Sequence, residues 1–203
     1  MNRPSGKAAR RRSGRSPQCA VIAVFTEGKI TEPHYVAELN REFRDRIKLT
    51  VRSEGAGRDP LTLVRHAVRY KRSLRRGRAA SADEVWCLFD RDDHESFDEA
   101  LEIAWQNSIG VAASVPCFEI WLWWHHADQS AEIERHVLCD RCESAGLIKD
   151  KRLGDAAIIL EREAAARRAR SNDAMHQRND RPDHSNPSSS MPLFLDAITS
   201  RLR

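Results

Sequence analysis

The sequence predicts an α/β fold: a mainly parallel β-sheet flanked by helices, with a C-terminal helical extension. Ala20–Phe25 and Val85–Phe89 are short, continuous apolar runs rich in β-branched and aromatic residues, the pattern of strands buried on both faces. Segments with apolar residues at helical spacing alternate with strands as far as residue 125, which argues for a parallel sheet sandwiched by helices. With 203 residues, 40% of them hydrophobic, there is material for one domain with a real core, and wholesale disorder is excluded.

Taken in order, residues 1–17 are polar and rich in Arg, Ser and Gly, and read as a disordered basic tail. Residues 18–130 read as the α/β domain and 131–203 as a helical extension packed on it. After strand 20–25, Thr31 is placed to cap a helix with Pro33 in its first turn and Tyr35, Val36, Leu39 and Phe43 at helical spacing. Ile47–Arg52 alternates as a strand, and 54–60 is a loop. From Leu61 to about Arg76 the pattern is helical, with Leu61, Val64, Ala67 and Val68 on one side. After strand 85–89, Ser96-Phe-Asp-Glu99 reads as a capping box before a helix carrying Phe97, Ala100, Leu101, Ala104 and Trp105. Val111–Val115 is a strand of small residues, and Phe118–Trp124 an aromatic-rich helix. Residues 131–138 and 155–170 read as helices, 171–192 as a loop, and Leu193–Leu202 as a short terminal helix. No internal repeat is present.

The formal net charge is +4, from 34 Lys+Arg and 30 Asp+Glu. Arg3, Lys7, Arg10, Arg11, Arg12 and Arg15 lie in a tail without acids and account for more than this excess, so the rest is slightly acidic. The apolar run after the tail is too short for a secretory signal, and no segment approaches the roughly 18 apolar residues of a membrane span. Five cysteines are an odd number, and Cys87 and Cys117 sit in apolar runs. Reduced thiols and a cytoplasmic location are expected, with no membrane partner.

The chemistry is concentrated at two strand ends. Strand 20–25 runs into Thr26-Glu27-Gly28, and strand 85–89 into Asp90-Arg91-Asp92-Asp93. Open parallel sheets bind ligands at the carboxyl ends of their strands. Asp90 and Asp92 point the same way in an extended segment, so Glu27, Asp90 and Asp92 are expected to converge. Carboxylates this close repel unless a proton or cation intervenes, and oxygen-only ligands select hard cations, Mg²⁺ first and Mn²⁺ next. Gly28 permits a tight turn behind Glu27. A lone Asp at a strand end often only caps the next turn; a paired Asp-x-Asp with a second acidic strand end argues for function. Glu32, Asp93 and Glu119 are secondary candidates for a second metal or for substrate positioning. Their plainer readings are a first-turn helix acid, a turn residue and a helix N-terminal acid.

Three blocks, Val24-Phe-Thr-Glu-Gly-Lys-Ile-Thr-Glu-Pro-His-Tyr35, Trp86-Cys-Leu-Phe-Asp-Arg-Asp-Asp-His94 and Ser114-Val-Pro-Cys-Phe-Glu-Ile-Trp-Leu122, with Asn186-Pro-Ser-Ser189 near the C-terminus, resemble the RloB-like family. The resemblance implies a Toprim-like domain, in which a Glu after the first strand and an Asp-x-Asp after a later one bind Mg²⁺ for phosphoryl transfer. It also implies a setting beside restriction and abortive-infection genes, often with an ATPase partner. Carried over, Glu27 is the general acid/base, also counted among the metal residues, and Asp90 and Asp92 hold metal. Haloacid-dehalogenase-type phosphatases place Asp-x-Asp after the first strand, followed by Thr or Val; here it follows a later strand and precedes Asp93-His94, so that reading falls behind.

Arg65, Arg69, Arg72 and Arg76 form one stripe of the helix beginning near Leu61, with Lys71, Arg75 and Arg78 beside it and no acid between Asp59 and Asp83. This suits non-sequence-specific contact with a nucleic-acid backbone, DNA or RNA; the alternative is a solvated helix face. Phe118, Trp121, Trp123 and Trp124 can stack bases, but core packing or an oligomer interface fits their apolar density better. His125-His126 reads as a helix C-terminal cap before a phosphate contact. Cys139-Asp-Arg-Cys142 has zinc-like spacing, yet only one such pair exists and completing a site needs Cys117, His125, His126 or His136 to arrive by folding alone, so zinc is not favoured. The resulting expectation is a metal-dependent nuclease of anti-phage defence controlled by a partner ATPase; the alternative is a non-catalytic subunit that binds nucleic acid or docks an ATPase.

Overall fold

The computed structural model describes residues 19–52, 59–77, 79, 81–91 and 96–202. The basic tail, most of the loop before Pro60, Arg78, Asp92 and Asp93 lie outside the described residues. Alternation along the central strands sets the layers. In β1 (Ala20–Thr26), Ile22 and Val24 pack to one face and Ala23 and Phe25 to the other. In β3 (Glu84–Asp90), Trp86 and Leu88 join the first set, and Val85, Cys87 and Phe89 the second. The first face is covered by α1 (Thr31–Phe43), α4 (Glu119–His126) and α7 (Met191–Ser200), and the second by α2 (Pro60–Arg75) and α3 (Phe97–Gln106). Trp121 and Trp124 of α4 are fully buried and Phe118 nearly so, which bears out core packing for these aromatics.

With β2 (Ile47–Arg52), β4 (Gly110–Val115) and β7 (Ser188–Ser189), the main sheet runs in the order β2-β1-β3-β4-β7. The first three pairings are parallel and β7 is antiparallel to β4. This is the mainly parallel α/β sheet expected, flanked by seven α-helices among the described residues. Chain order reverses at β1 and β3. From β1 the chain leaves through α1 toward one sheet edge, and from β3 through α3 toward the other, on the opposite face. The diverging helices open a crevice between the carboxyl ends of β1 and β3, the switch point where α/β sheets bind ligands.

Several local expectations are corrected. α1 begins at Thr31 itself, without a side-chain cap; the Thr31 hydroxyl donates to the Lys151 carbonyl at 2.9 Å. Ser96 precedes α3, but its near-helical backbone (φ −89°, ψ 5°) makes no capping hydrogen bond, so the capping-box reading fails. The helix placed at 131–138 is α5 (Arg135–Ser144), because the chain stays extended at Glu134. The 155–170 segment is a 3₁₀ turn, Ala156–Glu161, followed by α6 (Arg162–Arg178), which runs into the expected loop. There Ala165, Ala166, Ala169, Asn172 and His176 form a buried face, and its polar members are bonded: Asn172 to the Arg168 carbonyl, His176 to that of Pro187. A small hairpin, β5 (Ile148–Lys149) and β6 (Arg152–Leu153), had no counterpart in the sequence reading. No described helix is long and apolar enough to cross a membrane.

Candidate functional site

The β1–β3 ladder continues one residue past β1, where the Glu27 N–H donates to the Leu88 carbonyl at 2.9 Å. That bond delivers the Glu27 side chain to the end of β3, where its Oε2 accepts from the Asp90 N–H at 3.1 Å. Asp90, the last residue of β3, is buried, and its Oδ2 accepts from the Arg135 guanidinium at 3.1 Å. Gly28 turns the chain toward α1, and its N–H donates to Glu32 Oε1 at 2.9 Å. A Cβ on Gly28 would stand 1.9 Å from Glu32 Oε2, so only glycine lets Glu32 fold back over the turn. Glu32, in the first turn of α1, is buried, and Glu119 opens α4. These residues line a cleft of about 630 Å³ together with Asp59, Lys29, Lys151 and Cys139.

The electrostatics follow from crowding acids in a dry place. Burial, reinforced by Glu32, holds the Asp90 carboxyl well above the ordinary carboxylate range; Arg135 opposes this, while Glu119 and Glu27 add to it. Burial likewise raises Glu32, against the pull of backbone N–H bonds including that of Gly28. Such a group of oxygen donors is relieved by protons, by Arg135, or by a hard divalent cation, and its chemistry fits Mg²⁺ or Mn²⁺.

The structure thus brings Glu27, Asp90, Glu32 and Glu119 to one cleft. Glu32 is more than a first-turn acid, since its carboxyl folds back over the Gly28 turn and accepts the Gly28 N–H. Arg65, Arg69, Arg72 and Arg76 stand apart on the exposed side of α2. A counter-charge comes from another helix: Arg65 pairs with Glu99 of α3 at 3.1 Å. Lys71 leaves the stripe, its amine donating to the Asn107 and Ser108 carbonyls past the end of α3. The N-cap of α2 reaches the cleft: Asp59 lines it and accepts from the Thr62 N–H at 3.0 Å.

Sequence reasoning missed Arg135, which lies in an unremarkable polar stretch and reaches Asp90 only through folding. It named Cys117 only as a partner for the Cys139–Cys142 pair, and missed that Cys117 and Cys139 come together with Glu119 instead of Cys142. Cys117, Glu119 and Cys139 present ligand atoms all within 4.8 Å of one another. No local spacing signals this group, because its members come from three elements. His125 is no surface cap: Nδ1 meets the Trp121 carbonyl at 2.8 Å and Nε2 the Tyr35 hydroxyl at 3.1 Å, tying α4 to α1 inside the core. The carbonyl fixes the proton on Nδ1, leaving Nε2 to accept from tyrosine. Burial lowers this imidazole to about 4, so it is neutral.

Fold and site together define an α/β protein with an acidic crevice at the switch point of its sheet. The chain belongs to the RloB-like protein family, whose family model matches residues 22–198. The resemblance carried by its motifs is borne out. Comparisons with curated proteins and with solved structures gave no match.

Proposed function

We propose that this chain is a metal-dependent nuclease of the Toprim type, acting in anti-phage defence under the control of a partner ATPase. The observation that carries the reading is the convergence of Glu27, Asp90 and Glu32 at the switch-point crevice, with Asp90 held above its ordinary range by burial and by its acidic neighbours. Glu27, Asp90 and Asp92 are the residues that would hold Mg²⁺, which when bound supplies charge neutralisation for an in-line phosphoryl displacement.

Glu27 sits at the rim of the cleft, on the Asp90 N–H, and serves as the group that moves a proton to or from an attacking or leaving oxygen. Glu32 is held by the Gly28 N–H and adds a carboxyl to the floor of the cleft. Arg135 supplies the positive charge that Asp90 otherwise lacks, which suits a site held in check until a partner or trigger acts. The exposed arginines of α2 start near the cleft and extend along roughly 15 Å of helix, a track for a phosphate backbone. Nothing in that stripe selects base edges, so binding is non-specific.

The test is incubation of the purified chain with plasmid and total RNA plus Mg²⁺, with and without its genomic-neighbour ATPase, beside Glu27→Ala and Asp90→Ala. Metal-dependent cleavage that both substitutions remove is expected. Unchanged cellular protection in those variants would instead make the chain a binding subunit.

A further inference from the structure

We propose a second metal site in this protein, for a zinc-class divalent cation, formed by Cys117, Glu119 and Cys139. The ligands come from three parts of the fold. Cys117 lies in the β4–α4 connection and is fully buried, Glu119 is the first residue of α4, and Cys139 is a half-buried residue of α5. Their donor atoms all lie within 4.8 Å of one another. A tetrahedral ion at about 2.3 Å from sulfur and about 2.0 Å from oxygen sets donor separations of roughly 3.5–3.8 Å, so a small contraction closes the group. Two sulfurs and one carboxylate oxygen favour zinc over Mg²⁺, opposite to the oxygen-only acids across the cleft.

This is a different set from the one the Cys139–Cys142 spacing suggests. Cys142 turns away, its thiol donating to the Glu119 backbone carbonyl at 3.5 Å, while Cys139 faces the cleft. Three protein ligands leave one coordination position, and Glu119 and Cys139 both line the cleft, so water or a substrate oxygen can reach an ion held there. Binding displaces the thiol protons and clamps α5, which also carries Arg135, to the start of α4. The site stands independently of the nuclease reading.

The experiment titrates the purified full-length chain, reduced and stripped of metal, with Co²⁺ and then Zn²⁺. One Co²⁺ per chain with a thiolate-to-cobalt charge-transfer band, displaced by Zn²⁺, is expected. Cys117→Ser and Cys139→Ser should each abolish or strongly weaken the band, while Asp90→Asn and Cys142→Ser keep it. If Cys117→Ser fails to fold by circular dichroism, the less buried Cys139→Ser decides. Absence of a thiolate band in the wild type overturns the proposal. So does a band that survives Cys139→Ser, or one lost in folded Cys142→Ser but kept in Cys117→Ser. No activity is measured, so this result and the nuclease result fail separately.

Discussion

The two walls of the cleft differ in chemistry and in origin. One, from the ends of β1 and β3 and the start of α1, offers only oxygen: Glu27, Asp90 and Glu32. The other, from the start of α4 and from α5, brings sulfur and a guanidinium: Cys139 and Arg135, with Glu119 at the junction and the fully buried Cys117 within reach of both Glu119 and Cys139. The oxygen wall is fixed by strand pairing, since Glu27 and Asp90 are placed by the ladder between neighbouring parallel strands. The opposite wall is fixed by helix packing. Strand ends therefore present the oxygen ligands, and packed helices carry the guanidinium and the sulfur.

The largest effect that sharpens this contrast lies on the oxygen wall. Glu27→Ala and Asp90→Ala should each lower Mg²⁺-dependent cleavage by roughly 10²–10⁴-fold in a plasmid or RNA assay. Beneath both walls, the Tyr35–His125 bond joins the helices that carry Glu32 and Glu119. His125 is lowered from 6.5 to about 4, so the unfolded chain binds a proton in that window and the folded chain does not. This contribution is fully present above pH 6.5 and is lost as pH falls toward 4, by roughly 3 kcal/mol. Urea unfolding between pH 4 and 7 should show that loss in the wild type and a flatter profile in His125→Phe.

A smaller effect separates the walls directly. Mg²⁺ at a hundredfold excess over its dissociation constant should stabilise the wild type by about 2.7 kcal/mol. That increment, read as a shift in Tm, should vanish in Asp90→Asn and persist in Cys139→Ser; loss in both would merge the two walls into one site. The smallest effect lies outside them. Arg65→Ala breaks an exposed ion pair with Glu99 and should change stability by less than about 1 kcal/mol. It should nevertheless reduce the salt dependence of nucleic-acid binding, by about one in the log–log slope if Arg65 meets a phosphate.

The oxygen wall was readable in the sequence because it depends on short-range rules. Apolar runs marked β1 and β3, and residues leaving their carboxyl ends had to share one edge of the sheet. The other wall depends on where α5 lands, which is settled by distant contacts. The Asn186 side chain exchanges hydrogen bonds with the Ile133 backbone at 3.3 and 2.8 Å, just before α5. The β5–β6 hairpin escaped notice because its turn residues, Asp150 and Lys151, take φ of 51° and 60° without the glycine or asparagine that usually announces such a turn. That hairpin sets Lys151 against Thr31 and, through the Leu153 N–H to His34 Nδ1 at 3.1 Å, holds the start of α1. The length of α6 was hidden in a related way, its Asn and His positions resembling a loop; Asn172 bonds back to the Arg168 carbonyl of its own helix, and His176 reaches the distant Pro187 carbonyl.

The central claim is that the crevice between β1 and β3 cleaves phosphodiesters through its carboxylates. Its most direct test is a cleavage assay on plasmid and total RNA with Mg²⁺, with and without the proposed ATPase partner, comparing wild type with Glu27→Ala and Asp90→Ala. The account predicts metal-dependent cleavage by the wild type that EDTA and either substitution abolish. Failure of the wild type to cut either nucleic acid under activating conditions, or equal cutting by the folded variants, would contradict it.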